Sequence, residues 1–274
     1  MAAFVGNAST NLITGTASDD DLWGLGAGDT LHGGTGADRL HGWIDPAASA
    51  EPATTDGNDV LFGEDGDDTL AGDTGDDALY GDAGADSLVG DGDTSPGGDT
   101  VFGGAGADRA SGGGGNDLVY GNQDADTLSG ESGDDTAFGG AGSDLLDGGA
   151  GADGLYGNLG DDTLDGGADA DRLRGGQGDD LVSGGDGDDT IEGNRGADTL
   201  SGGAGADGFA FASGSGTDRI ADFTPDEGDR IDLSGGAGYT LGTADGVLVI
   251  DLGQGDTITL TGVATARFDA SWIV

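Results

Sequence analysis

The chain is 274 residues long and carries 54 Asp and Glu against 8 basic side chains, for a formal net charge of -46. Such a polyanion excludes nucleic acid and anionic membrane surfaces as partners and selects cations; its basic residues, all arginine, are scattered, as at Arg39, Arg109, Arg172 and Arg174. Leu, Ile, Val and Phe supply only 50 of the 274 residues, a level at which so charged a chain does not fold unaided, and the absence of Cys removes disulfides as a remedy.

From Met1 to Asn7 there is neither a basic leader nor an apolar run, so no Sec-type signal is expected, and no segment reaches transmembrane length. Residues 1–14 read as an N-terminal cap. They hold one degenerate nine-residue unit, 6–14, with Asn11 at its sixth place and Ile13 at its eighth.

From 15 to 210 that unit repeats. Gly-Gly-Ala-Gly-Ser-Asp-Leu-Leu-Asp at 139–147 is followed by Gly-Gly-Ala-Gly-Ala-Asp-Gly-Leu-Tyr at 148–156. Position six is aspartate in twenty units: Asp20, Asp29, Asp38, Asp59, Asp68, Asp77, Asp86, Asp99, Asp108, Asp117, Asp126, Asp135, Asp144, Asp153, Asp162, Asp171, Asp180, Asp189, Asp198 and Asp207. Position eight is apolar throughout, from Leu22 to Phe209, and only Ala110 and Ala137 are small there. Six glycine-rich residues predict a tight turn, and the next three a short strand with position eight pointing inward and seven and nine outward. Two units complete one turn of a coil, so residues eighteen apart stack. The aspartates then sort by parity into two edges, one running from Asp20 to Asp198 and the other from Asp29 to Asp207. Burying one aliphatic side chain per unit recovers less than ordering nine residues costs, and stacked carboxylates repel, so the coil needs a hard divalent cation.

Two insertions break the rhythm, near 43–54 with Trp43, Pro46 and Pro52, and near 91–97 around Pro96. Both fall on the second edge and interrupt the pairs Asp29 with Asp59 and Asp77 with Asp99. Position nine on the second face holds Phe62, Tyr80, Phe102, Tyr120, Phe138 and Tyr156, whereas the first face offers Ala71, Val89, Ser111, Ser129 and Asp147. The aromatic residues predict a stripe roughly 25 Å long, either stabilising the strands or docking a partner. His32 and His41 occupy position nine of successive units and are expected on opposite faces as surface residues.

Residues 211–274 read as a C-terminal capping segment, with apolar or alternating runs at 247–250 and 257–260 predicting antiparallel strands that close the coil.

The unit GGxGxDxUx resembles the hemolysin-type repeats-in-toxin (RTX) calcium-binding repeat, and the resemblance covers roughly residues 6–260. It implies an all-β, right-handed parallel β-roll in which several Ca2+ ions sit between stacked turns, held by turn carbonyls and position-six aspartates. Asp108 would share an ion with Asp126, and Asp117 with Asp135. About 18 ions fill every gap of the two columns and bring the net charge from -46 to roughly -10. The segment from Phe209 resembles the C-terminal cap of serralysin-type proteases. Residues 268–274 resemble the uncleaved signal of type I secretion and read equally as a last strand of the cap.

HExxH and GxSxG are absent and the serralysin protease domain has no counterpart, so no enzymatic activity is expected. The resemblance implies a secreted or cell-surface calcium-binding protein, exported by a type I system and folding on extracellular calcium. The alternative is an extracellular polysaccharide-binding, adhesin or surface-layer module, similar to those attached to alginate epimerases, that uses the stripe for a polysaccharide, a protein partner or a second copy.

Overall fold

The computed structural model describes residues 2–42, 57–92, 97–233, 238–244, 247–263 and 268–274. Trp43, Pro46, Pro52 and Pro96, with most of both insertions, lie outside them. The described residues form a parallel β-solenoid in which successive strands alternate between a 15-stranded and a 12-stranded sheet. Between uninterrupted repeats the stacking is eighteen residues: Thr100, Val101 and Phe102 pair with Leu118, Val119 and Tyr120 in parallel. Across the insertions the ladder keeps its register, since Arg39 pairs with Thr69 and Ala78 with Thr100.

The strands are longer than the sequence predicts. Thr136–Ala141 and its equivalents run six residues, from position seven of one unit to position three of the next, so only three residues are left for each turn. Pairing persists because a positive φ at position two, as at Gly140 (φ 112°), bends the chain without taking it out of the ladder, and Gly140 still pairs with Asn122. Non-glycine residues meet the same demand at Glu64, Asp82, Asn122 and Glu131, where φ is 68° to 81°.

Alternation then builds the core. Position eight supplies one fully covered side chain per strand, with Leu128, Leu146 and Leu164 stacked in one sheet and Leu155, Leu173 and Ile191 in the other, each at most 1% exposed. Such a core is one side chain deep from each sheet.

Parallel pairing runs on past residue 210. Gly208–Ala210 carries Arg230–Asp232, and Thr217–Ile220 is joined in parallel by Asp256–Leu260. Val247–Gly253 and Thr240–Ala244 then add antiparallel strands to the larger sheet. The chain end docks on the smaller sheet: Ile273 bridges Ile231, and the Val274 N–H donates to the Ile231 carbonyl at 3.0 Å. Trp272 lies edge-on to Phe223 and Phe268 there. The opposite end is less covered, with Val5 52% and Leu12 73% exposed. Among the described residues no helix is long and apolar enough to cross a membrane.

Candidate metal centre

Each position-six aspartate stands where a turn ends, and its side chain folds back under its own turn. Oδ1 accepts a hydrogen bond from the position-six N–H of the turn below: the Asp108 N–H donates to Asp126 at 2.8 Å, Asp126 to Asp144 at 2.9 Å, and Asp117 to Asp135 at 2.7 Å. The bonds join the aspartates into two columns, and the expected pairs are neighbours in them. Both insertion-flanked pairs are kept, because the Asp29 N–H donates to Asp59 and the Asp77 N–H to Asp99.

The second oxygen has a different fate. In most of the twenty aspartates, among them Asp38, Asp99, Asp126, Asp144 and Asp189, Oδ2 is buried and meets no hydrogen-bond donor. It occupies the notch left by the position-one glycine. A Cβ on Gly139 would lie 2.3 Å from Asp144 Oδ2 and 2.9 Å from the Gly157 carbonyl oxygen of the turn above. Position-four glycines face carbonyl oxygens of the turn below; a Cβ on Gly160 would sit 1.5 Å from that of Gly142.

Buried, unsatisfied carboxylate oxygens are costly. Burial accordingly pushes these acids up, against the opposing pull of the donated N–H, with repulsion along the column adding to the rise. Asp126, Asp153 and Asp180 reach about 7 and Asp99 about 8. A hard cation fits this donor set. Every candidate ligand is oxygen, and among the described residues no three Asp, Glu, His or Cys side chains converge on one point, so backbone carbonyls must complete any coordination shell.

The columns have three further members, Asn11 of the degenerate first unit and two that escaped the repeat count, Asp218 and Asp229. Asn11, Asp218 and Asp229 continue the two ladders, as the Asn11 N–H donates to Asp29, the Asp198 N–H to Asp218 and the Asp207 N–H to Asp229. Their signal in the sequence is the short string of a polar residue followed two places later by isoleucine, at Ile13, Ile220 and Ile231. At one end of each column Oδ2 does meet a donor. Asp20 Oδ2 accepts from the Thr16 N–H and hydroxyl at 2.6 and 2.7 Å, and these bonds hold its acid below the ordinary range; Asp229 Oδ2 accepts from the Thr224 N–H at 2.6 Å.

The aromatic residues do line up on the smaller sheet. Phe62, Tyr80, Phe102, Tyr120, Phe138 and Tyr156 stack at 4.8 to 5.0 Å with interplanar angles of 4° to 13°, and His32 heads the row at 4.7 Å from Phe62. All six are half-buried, because each interior ring has both faces covered by its neighbours. His41 is on the other sheet, stacked 4.0 Å from Trp23.

A family model described as the RTX calcium-binding nonapeptide repeat (4 copies) matches residues 5–40, 54–88, 93–128, 120–155, 156–191, 175–209 and 183–220. No curated protein matches the sequence. Among solved structures, the AlgE6R3 subunit from the Azotobacter vinelandii mannuronan C5-epimerase is 31% identical with a TM-score of 0.34, covering 42% of this chain and 80% of that one. The extracellular lipase LipA from Serratia marcescens is 20% identical with a TM-score of 0.38, covering 84% of this chain; this chain spans 41% of the lipase.

Proposed function

We propose, on the premise that this chain belongs to the RTX calcium-binding nonapeptide-repeat family, that it is a secreted, non-enzymatic protein whose folding is driven by extracellular calcium. The observation that carries this reading is the pair of columns of buried, donorless Oδ2 atoms. Asp38 to Asp198 on one edge and Asp29 to Asp207 on the other would hold calcium, with turn carbonyls completing each site. Bound calcium supplies the positive charge and oxygen coordination that a column of carboxylates lacks. Where calcium is scarce the same carboxylates repel and the apolar core is too thin to oppose them, so metal binding and folding are one event. The chain would thus leave the cytosol unfolded and become ordered outside. The resemblance of residues 268–274 to a type I secretion signal supports that route.

Far-ultraviolet circular dichroism of the full chain, with millimolar calcium and then with excess chelator, tests the reading. The expected result is a β-spectrum that collapses to a disordered one on chelation and returns with calcium. A β-spectrum that survives complete chelation overturns it.

A further inference from the structure

The insertion near 91–97 interrupts the repeat, yet the position-two residue just before it, Asp91, brings a further carboxylate inward. Five acids stand at position two among the described turns, at Glu64, Asp73, Asp82, Asp91 and Glu131. Four have a positive φ, between 68° and 77°, and none of those four side chains is buried. Asp91 is the exception: its backbone lies outside the left-handed bend, and its side chain is buried, the residue being 2% exposed.

Its surroundings identify the gap it enters. A Cβ on Gly97 would lie 2.5 Å from Asp91 Oδ2 and 1.9 Å from the Gly75 carbonyl oxygen of the turn below. Asp99 reaches the same gap with its Oδ1, which accepts from the Asp77 N–H at 2.7 Å, while its Oδ2 lies in the Gly90 notch beside the Gly112 carbonyl oxygen of the turn above. Asp91 is near enough to repel Asp99. A carbonyl oxygen and two carboxylates therefore line the space between the turns of Asp77 and Asp99, where an ordinary gap has one inward-turned carboxylate from the turn above.

We infer that Asp91 is an additional calcium ligand, and that the gap between Asp77 and Asp99 is the tightest calcium site of the chain and the first to fill. Calcium affinity rises with the number of charged oxygen ligands in a site, over decades of Kd across known sites. That gap then acts as a nucleus from which ordering spreads to neighbouring turns, as a solenoid with nearest-neighbour coupling allows. This rests on calcium-driven folding as proposed for the whole coil.

Hydrogen-exchange mass spectrometry of the full chain, with free calcium raised stepwise from chelator, tests it against D91N and against D82N, which removes an outward acid at the same position of another turn. In the wild type, peptides covering 97–101 are expected to gain protection at lower calcium than those covering 154–159 or 190–195. In D91N, protection of 97–101 moves to calcium higher by about tenfold or more and still reaches completion, while D82N leaves the order unchanged. Calcium-dependent protection without precedence at 97–101, or with precedence unmoved in D91N, overturns the role of Asp91 and leaves the folding reading intact. Protection at 97–101 that never returns in D91N, with the rest of the coil protected, makes Asp91 a structural part of the turn and also overturns the inference. Protection independent of calcium throughout overturns the folding reading itself.

Discussion

A missing methyl group decides whether a carboxylate can turn into the coil. At Gly139 an added Cβ would meet Asp144 Oδ2 at 2.3 Å and a backbone carbonyl oxygen at 2.9 Å, so neither neighbour can retreat cheaply. At Gly154, in the same strand stack, the nearest atom to an added Cβ is Tyr156 Cε2 at 3.4 Å, an ordinary contact. Gly139→Ala should therefore cost about 1–3 kcal/mol in calcium and remove about one bound ion, whereas Gly154→Ala should stay within about 0.5 kcal/mol of the parent. Denaturant titration in calcium with ion counting by equilibrium dialysis checks both halves. Equal effects from the two substitutions would mean that the notch is not what seats the carboxylate. The position-one glycine is visible in the sequence, but its role is not, because flexible and space-clearing glycines look alike until the neighbour is known.

Among the strands, the aromatic row contributes stability by itself. Its six rings are spaced 4.8 to 5.0 Å apart, the strand spacing of a sheet, so the ladder pitch sets the stacking distance. Each stacked pair is worth about 0.5–1.5 kcal/mol beyond buried area. Replacing Tyr80, Phe102, Tyr120 and Phe138 together by Ser should lower the melting temperature of the calcium-loaded protein by several degrees or more while the β-spectrum persists. An unchanged melting temperature would show that the rings do not support one another. The stacking also limits what the row offers outward. A ring whose two faces are taken presents its edge, so a ligand that stacks flat on an aromatic face finds one only where the row ends.

At the scale of the whole molecule, the buried carboxylates couple folding to pH. Burial, ahead of repulsion along the columns, raises eleven of them to between about 6 and about 8, Asp68, Asp99, Asp171, Asp207 and Asp218 included. Unfolded aspartates titrate near ~3.9, so between these values the metal-free coil holds protons that the unfolded chain releases. Its stability is therefore fully present below about pH 4 and is lost as pH rises through about 6 to 8. In chelator, the β-signal should grow as pH is lowered from about 8 to about 5, and calcium binding should weaken over the same interval because protons compete for the same oxygens. A chelated chain equally disordered at both pH values would contradict this.

The nine-residue period alone determined the parallel solenoid, the eighteen-residue stacking, the inward column at position eight and the sorting of aspartates into two edges, because each is a consequence of side-chain alternation along a strand and of two units per turn. The period could not show how far each strand runs, since a glycine-rich stretch reads as a turn whether or not its N–H groups pair with the next strand. It passed over Asp218 and Asp229, whose units have Ser213 and Thr224 in place of the position-one glycine but keep the ladder. Nor could it place Asp91, which shares its residue type and its position with Asp82 and differs only in backbone conformation. That difference, which only the tertiary structure decides, takes one carboxylate out of solvent and into the gap between two turns.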